Sequence, residues 1–148
     1  MTTAFLSQDI QNEEGVRYAA YPDPLSGGAP YTIGSGHAGP EVHMGLTWTP
    51  AQVAQALQAD IQKAEAGLNQ HLPWWKQLSD VRQDVLVQMT FQLGIGGLLL
   101  FHEALSAMQA GNWNEAHNQM LNSQWAKQCP ARAQREATQM LTNTRSWA

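Results

Sequence analysis

The sequence predicts an α+β chain, mainly helical, with one small sheet-like patch near its N-terminus. Three observations carry that prediction. Apolar residues recur at helical spacing through much of residues 50–141. Capping residues or a proline stand at the start of three of these runs. Between Gly15 and Thr47 the pattern changes, with seven Gly and four Pro separating a few strand-forming residues.

In chain order, Phe5, Leu6 and Ile10 set the buried face of a short first helix. Glu14 continues that face, and Gly15 breaks the helix. Tyr21, Tyr31, Thr32 and Ile33 then lie between turns such as Ser26-Gly27-Gly28, which predicts a short twisted hairpin or a three-strand meander. Thr49-Pro50-Ala51-Gln52 reads as a capping box with proline at the first helical position. Behind it Val53, Leu57, Ile61, Ala64 and Leu68 form one apolar stripe, so a helix is expected over Pro50–Leu68. A second helix is expected from Ser79 or Asp80 to Leu93, with Val81, Val85 and Met89 on its inner face and Gly94 as its stop. A third is expected from Leu98 to Ala110, ended by Gly111. Asn112-Trp113-Asn114-Glu115 opens another that runs to Leu121. Pro130 starts the last, with Ala133, Ala137, Met140 and Leu141 inward.

Composition bounds the function. The chain has 148 residues and a mass of 16.3 kDa, enough for one compact domain or two small lobes. Lys and Arg number 8 against 12 Asp and Glu, a net charge of −4, which argues against a partner held through nucleic-acid phosphates. Charged residues make up only 14 %, and seventeen Gln supply much of the polar surface. A single cysteine, Cys129, excludes an internal disulfide framework and a Cys-rich zinc site. The longest apolar run, Leu93–Phe101, is nine residues where a bilayer span needs about 20, so no transmembrane helix and no stable membrane insertion are expected. The N-terminal stretch Met1–Asp9 has neither a basic start nor an apolar segment, which predicts synthesis in the cytoplasm without a signal peptide.

Several motifs lose to plainer readings. Gly34-Ser35-Gly36-His37-Ala38-Gly39 matches G-x-G-x-x-G, but Pro40 follows where a dinucleotide site needs a helix, so these glycines are expected in tight turns. His102-Glu103 lacks the second histidine of a metalloprotease helix, since position 106 is Ser106. His37 and His43 have no third ligand near them in sequence, so no metal and no cofactor is expected. Cys129, beside Pro130 at a helix start, reads as a packed or capping residue.

The N-terminal carboxyls are different. Glu14 stands at a helix end with an apolar backing, which disfavours its charged form and suits a general acid, while Glu13 is turned about 100° away. Nine residues on, Asp23 lies between Pro22 and Pro24 in a more polar turn. Two carboxyls in opposed environments are a pattern for cleaving an acetal. The rival reading is a helix-end glutamate paired with Arg17, and spacing alone leaves both open.

Glu14-Gly15-Val16-Arg17, Tyr21-Pro22-Asp23 and Tyr31-Thr32-Ile33-Gly34-Ser35-Gly36-His37 together resemble the active-site signature of phage-type lysozymes, glycoside hydrolase family 24. The resemblance continues through Met89–Gly94, Trp113–Ala116, Ser123–Trp125, Pro130–Arg135 and Arg145–Trp147, nearly the whole chain in order. It implies a lysozyme-like two-lobed fold: a small lobe over about 13–60, a long connecting helix, and a helical lobe over about 61–148 that also takes the N-terminal helix. It implies a muramidase that hydrolyses the β-1,4 bond between N-acetylmuramic acid and N-acetylglucosamine. Glu14 matches the general acid, Asp23 the second carboxylate, and Thr32 the residue that places the attacking water. Phe91, Gln92 and Gln119 match glycan-contacting positions, and Arg132 an arginine near the acid. His37 and Asp60 match a structural ion pair. The expected partner is the peptidoglycan glycan strand, met by a monomer.

The biological setting stays open between a phage endolysin released to the periplasm and cell wall, a toxin or tail-associated lysozyme, and an inactive glycan-binding relative. Departures are visible as well. The Pro24–Pro30 segment is longer than in well-known members, and Ala38 and Ala104 stand where relatives carry larger or polar residues. A net charge of −4 beside an anionic wall predicts weak long-range steering and a dependence on salt.

Overall fold

The computed structural model describes residues 4–147. Met1–Thr3, part of the stretch read for a leader, lie outside the described residues, as does Ala148. The described chain is an α+β fold of seven α-helices and one three-stranded antiparallel sheet. It divides into two compact units, Ala4–Lys63 and residues 64–147.

The first unit begins with α1 (Leu6–Glu14), whose Leu6 and Ile10 are fully buried. Phe5 does not join them, against the sequence expectation. It occupies the N-cap position and is 55 % exposed, because the helical period that aligns Leu6 and Ile10 starts one residue after it. The sheet follows as β1 (Arg17–Tyr21), β2 (Thr32–Gly34) and β3 (His37–Ala38), in that spatial order, the meander that the Gly- and Pro-rich segment predicts. Arg17 pairs with Gly34 and Tyr21 with Thr32, so β1 spends more residues than β2 over the same length and bulges. The outer side of β1 is covered by chain returning toward α2 (Pro50–His71). Ala20 N–H donates to Leu46 O at 2.9 Å, and Trp48 N–H to Tyr18 O at 2.8 Å. The capping box forms as expected. Thr49 N–H donates to Gln52 Oε1 at 2.8 Å, and Gln52 N–H to Thr49 Oγ1 at 3.2 Å. Val53, Leu57 and Ile61 bury the predicted stripe, and Gln58 Nε2 donates to Ser7 Oγ at 2.9 Å, tying α2 to α1.

The unit boundary falls inside α2, which runs three residues past the expected Leu68. A single 3-10 turn, Pro73–Gln77, then buries Trp75 completely, its Nε1–H donating to Asn69 Oδ1 at 2.9 Å. The second unit continues with α3 (Asp80–Leu98), α4 (His102–Ala110), α5 (Trp113–Leu121), α6 (Gln124–Gln128) and α7 (Pro130–Thr142).

Here the sequence reading needs three corrections. First, α3 has no single inner face. Every residue from Gln83 to Thr90 is buried, whereas Val81 is only half-buried. Gln83, Thr90 and Asp84 are held there by partners. Gln83 Nε2 donates to the carbonyls of Lys76 and Leu78, Thr90 Oγ1 donates to Leu86 O, and Asp84 pairs with Arg145 at 2.7 Å. Second, Gly94 does break the helix at φ 73, ψ 161, where the sequence places its stop, but a further helical stretch follows it within Asp80–Leu98. A further turn carries Leu98 into the core, so α4 begins at His102 instead of Leu98. Third, α6 has no counterpart in the sequence reading. At five residues it is too short to show a period, and its sequence signal is Ser123, whose Oγ accepts from Ala126 N–H at 3.1 Å. In α7 Ala133, Ala137 and Met140 are buried as expected, with Leu141 half-buried. The α7 C-terminus is capped by Arg82, whose Nε donates to Met140 O at 2.7 Å while its guanidinium lies 3.7 Å from the Trp113 ring.

No single helix among the described residues is long and apolar enough to cross a membrane.

Candidate functional site

Glu14 is the last residue of α1. Gly15, at φ 74 and ψ −175, turns the chain out of the helix and into β1, a conformation that a residue with a side chain adopts only under strain. The backbone of Glu14 is therefore fixed by a helix on one side and a glycine corner on the other. Its half-buried side chain rests on the turn joining β2 to β3. A methyl group placed on the α-carbon of Gly36 would sit 2.8 Å from Glu14 Oε2, 3.0 Å from Cδ and 3.1 Å from Cγ. That turn spans residues 34–36 between the paired residues Ile33 and His37, with Gly34 at φ 66 and Gly36 at φ 77. These are the tight-turn glycines expected in place of a dinucleotide loop.

Thr32 opens β2 at the other end of the same strand, paired with Tyr21 on one side and Ala38 on the other. Asp23 follows Tyr21 by two residues. Its backbone closes the Pro24–Pro30 loop: Asp23 N–H donates to Gly28 O at 2.9 Å, and Asp23 O accepts from Gly27 N–H at 2.8 Å. The loop is thus pinned at its base to Asp23, while Leu25 at its tip is 97 % exposed. Arg17, the rival partner considered for Glu14, places its guanidinium 5.0 Å from the centroid of the Tyr21 ring.

His37 stands between two carboxylates. It donates from Nδ1 to Asp60 Oδ2 at 2.6 Å and from Nε2 to Glu41 Oε1 at 2.5 Å, and its ring lies 5.3 Å from that of Trp48. Burial acts to lower its pKa, but the hydrogen bonds to Glu41 and Asp60, with their charges, outweigh burial and raise it above the ordinary 6.5. The hydrogen bond from His37 is the main cause that lowers the pKa of Glu41. The resemblance to phage-type lysozymes implies Asp60 as a partner of His37; it does not imply Glu41. Glu41 lies four residues from His37 in a loop, where that spacing carries no signal.

The second unit holds the remaining candidates. Gln92 uses both ends of its amide. Its Oε1 accepts from Trp125 Nε1–H at 2.9 Å, and its Nε2 donates to Cys129 Sγ at 3.5 Å. Cys129 is half-buried and links α6 to α7 without capping either through its side chain. Phe101 meets Trp125 edge to face at 5.8 Å. These rings help line a cavity of about 390 Å³, together with Leu93, Ala104 and Gln119. Ala104, noted as a departure, is 2 % exposed and faces that cavity. Gln119 Nε2 donates to Glu115 Oε1 at 2.8 Å, and Phe91 is half-buried on α3. Arg132 pairs with Glu136 at 2.9 Å, a partner that the sequence reading missed although it lies one helical turn away. Among the described residues, no three His, Cys, Asp or Glu side chains converge to hold a metal.

The chain has recognisable relatives among known proteins. Over 161 aligned residues the chain is 27 % identical to the pre-baseplate central spike protein Gp5 of Enterobacteria phage T4, an alignment covering 93 % of this chain and 28 % of that protein. It is 31 % identical over 121 residues to an endolysin of Bacillus phage B103, covering 80 % of this chain and 43 % of the relative. It is 33 % identical over 70 residues to a probable T4-type lysozyme of Dictyostelium discoideum, covering 47 % of this chain and 41 % of the relative. The chain thus spans less than half the length of each of these relatives. The Phage lysozyme family model matches residues 11–147, from within α1 to beyond α7. By that match the chain belongs to the phage lysozyme family.

Proposed function

We propose that the chain is a peptidoglycan muramidase that hydrolyses the β-1,4 bond between N-acetylmuramic acid and N-acetylglucosamine. The observation that carries the reading is the seat of Glu14: a carboxyl at a helix end, half-buried and held against the Gly36 turn. In this reading Glu14 protonates the glycosidic oxygen, and Asp23 and Thr32 direct a water to the anomeric carbon. Glu14 leans on the Gly36 end of the β2–β3 meander, whereas Thr32 and the Asp23 loop belong to the other end. No cofactor takes part.

Phe91, Gln92 and Gln119 are assigned to glycan contact. Gln92 offers the substrate a pre-set amide, because Trp125 and Cys129 already fix its orientation. Arg132, His37 and Asp60 support the site without touching the bond that breaks. The setting proposed is that of an endolysin, acting as a monomer on the cell wall during host lysis. The long alignment with a central spike protein favours a second reading with the same chemistry, a lysozyme unit carried by a larger phage structural protein.

The test is release of new reducing ends from purified peptidoglycan, with mass spectrometry of the fragments. Muramic acid at the new end is the expected product, and Glu14→Gln is expected to lower the rate roughly 10²–10⁴-fold with the fold intact. Glucosamine at the new end, an anhydro product, or full activity of Glu14→Gln would sink the assignment.

A further inference from the structure

We propose that Gly36 is a positioning residue for Glu14: the missing side chain at the tip of the β2–β3 turn is the seat that sets where the acid can stand. The inference rests on Glu14 being the acid, and it goes beyond that reading by naming what fixes the carboxyl. Three consecutive atoms of the Glu14 side chain, Oε2, Cδ and Cγ, lie within 3.1 Å of the point where a Gly36 β-carbon would be. Rotating the carboxyl alone cannot relieve such a contact; the whole side chain has to move.

Other glycines separate this role from backbone conformation. Gly15, Gly27 and Gly45 in the same unit also have positive φ, at 74, 70 and 91, yet an added methyl would meet nothing within 4 Å at any of them. Their identity is explained by the turn alone. Gly34 meets the Trp48 ring, and Gly39 meets the carboxylate of the exposed Glu41. Gly36 combines a left-handed backbone with contact to the proposed acid. The Gly15 corner therefore fixes where the Glu14 side chain starts, and Gly36 fixes how far it reaches.

A misplaced acid loses its effect in the transition state, so the loss falls on kcat. Gly36→Ala is expected to lower kcat roughly 10- to 100-fold and to change KM by less than about twofold. Because alanine is strained at φ 77, Gly36→Asn is measured beside it; asparagine tolerates the left-handed region and still carries a β-carbon. Gly45→Ala, equally strained but facing open space, is expected to keep its kcat.

A second readout does not depend on activity. The carboxyl-carbon NMR resonance of Glu14, assigned by its loss in Glu14→Gln, is expected to move in both Gly36 variants and to stay in place in Gly45→Ala. An unmoved resonance in a folded Gly36→Asn protein overturns the proposal, as does an undiminished kcat in both Gly36 variants. If instead Glu14→Gln still released reducing ends, the muramidase reading would fall, and the resonance would still report whether Gly36 seats the carboxyl.

Discussion

The two units are held by different physics. In the first, order around Glu14, Asp23 and Thr32 comes from the backbone: glycine corners at Gly15 and Gly36, a bulged strand pair, and an exposed loop closed at its base by Asp23. One of its side-chain ties is the His37 clamp, which lies partly open to solvent. In the second, order comes from burial. Met89, Leu98, Met108, Met120 and Met140 are sealed from water, and two ion pairs, Asp84–Arg145 and Arg132–Glu136, sit almost wholly inside. The difference teaches that the proposed chemistry depends on short-range chain geometry, while the buried ion pairs and most of the largest sealed side chains lie where no proposed catalytic group is found.

The sharpest way to break that comparison is to open the second unit. Asp84→Ala leaves Arg145 inside without its carboxylate and is expected to cost about 3–5 kcal/mol, read as a lower urea midpoint. A loss under about 1 kcal/mol would mean that this unit is not where stability is concentrated.

A smaller and pH-graded effect is expected in the first unit from His37→Gln. The raised pKa of His37 means that its clamp stabilises fully below the ordinary histidine value of 6.5 and is lost as pH rises through the folded-state value. The lowered pKa of Glu41 has the opposite sign: its contribution is present above the ordinary glutamate value of 4.5 and is lost as pH falls through the folded-state value. Wild type and His37→Gln should therefore differ most in urea midpoint between about pH 5 and 6 and converge above the folded-state His37 pKa. An equal difference at about pH 5 and pH 9 would show that the clamp acts by packing and not by charge.

The smallest effect is expected at the helix start that serves the first unit. Thr49→Ala removes one half of the capping box and should cost about 1 kcal/mol, read by thermal unfolding. No change there would leave the Val53–Ile61 stripe as the whole support of that end of α2.

Local rules made much of this legible. The α2 stripe, its capping box, the glycine turns and the last helix each depend on residues a few positions apart, and each forms as read. The Leu6, Ile10, Glu14 spacing singles out one carboxyl without any coordinates, because i, i+4 positions share a face. What local rules missed is non-local. The α3 stripe of Val81, Val85 and Met89 looks one-sided, but surrounding elements bury its Gln83, Asp84, Gln88 and Thr90 as well. Gln92 meets Trp125 and Cys129 across more than thirty residues of chain, and nothing in its neighbourhood announces this.

The sequence by itself determined where helices begin, where the chain turns, and which carboxyls deserve a chemical reading, since capping, φ preference and helical period act over a few residues. Only the tertiary structure decided that Gly36 lies under Glu14, that Gln92 meets Trp125 and Cys129, and that Asp84 of α3 pairs with Arg145. Those facts depend on distances between segments far apart in the chain, which packing fixes and no local pattern encodes.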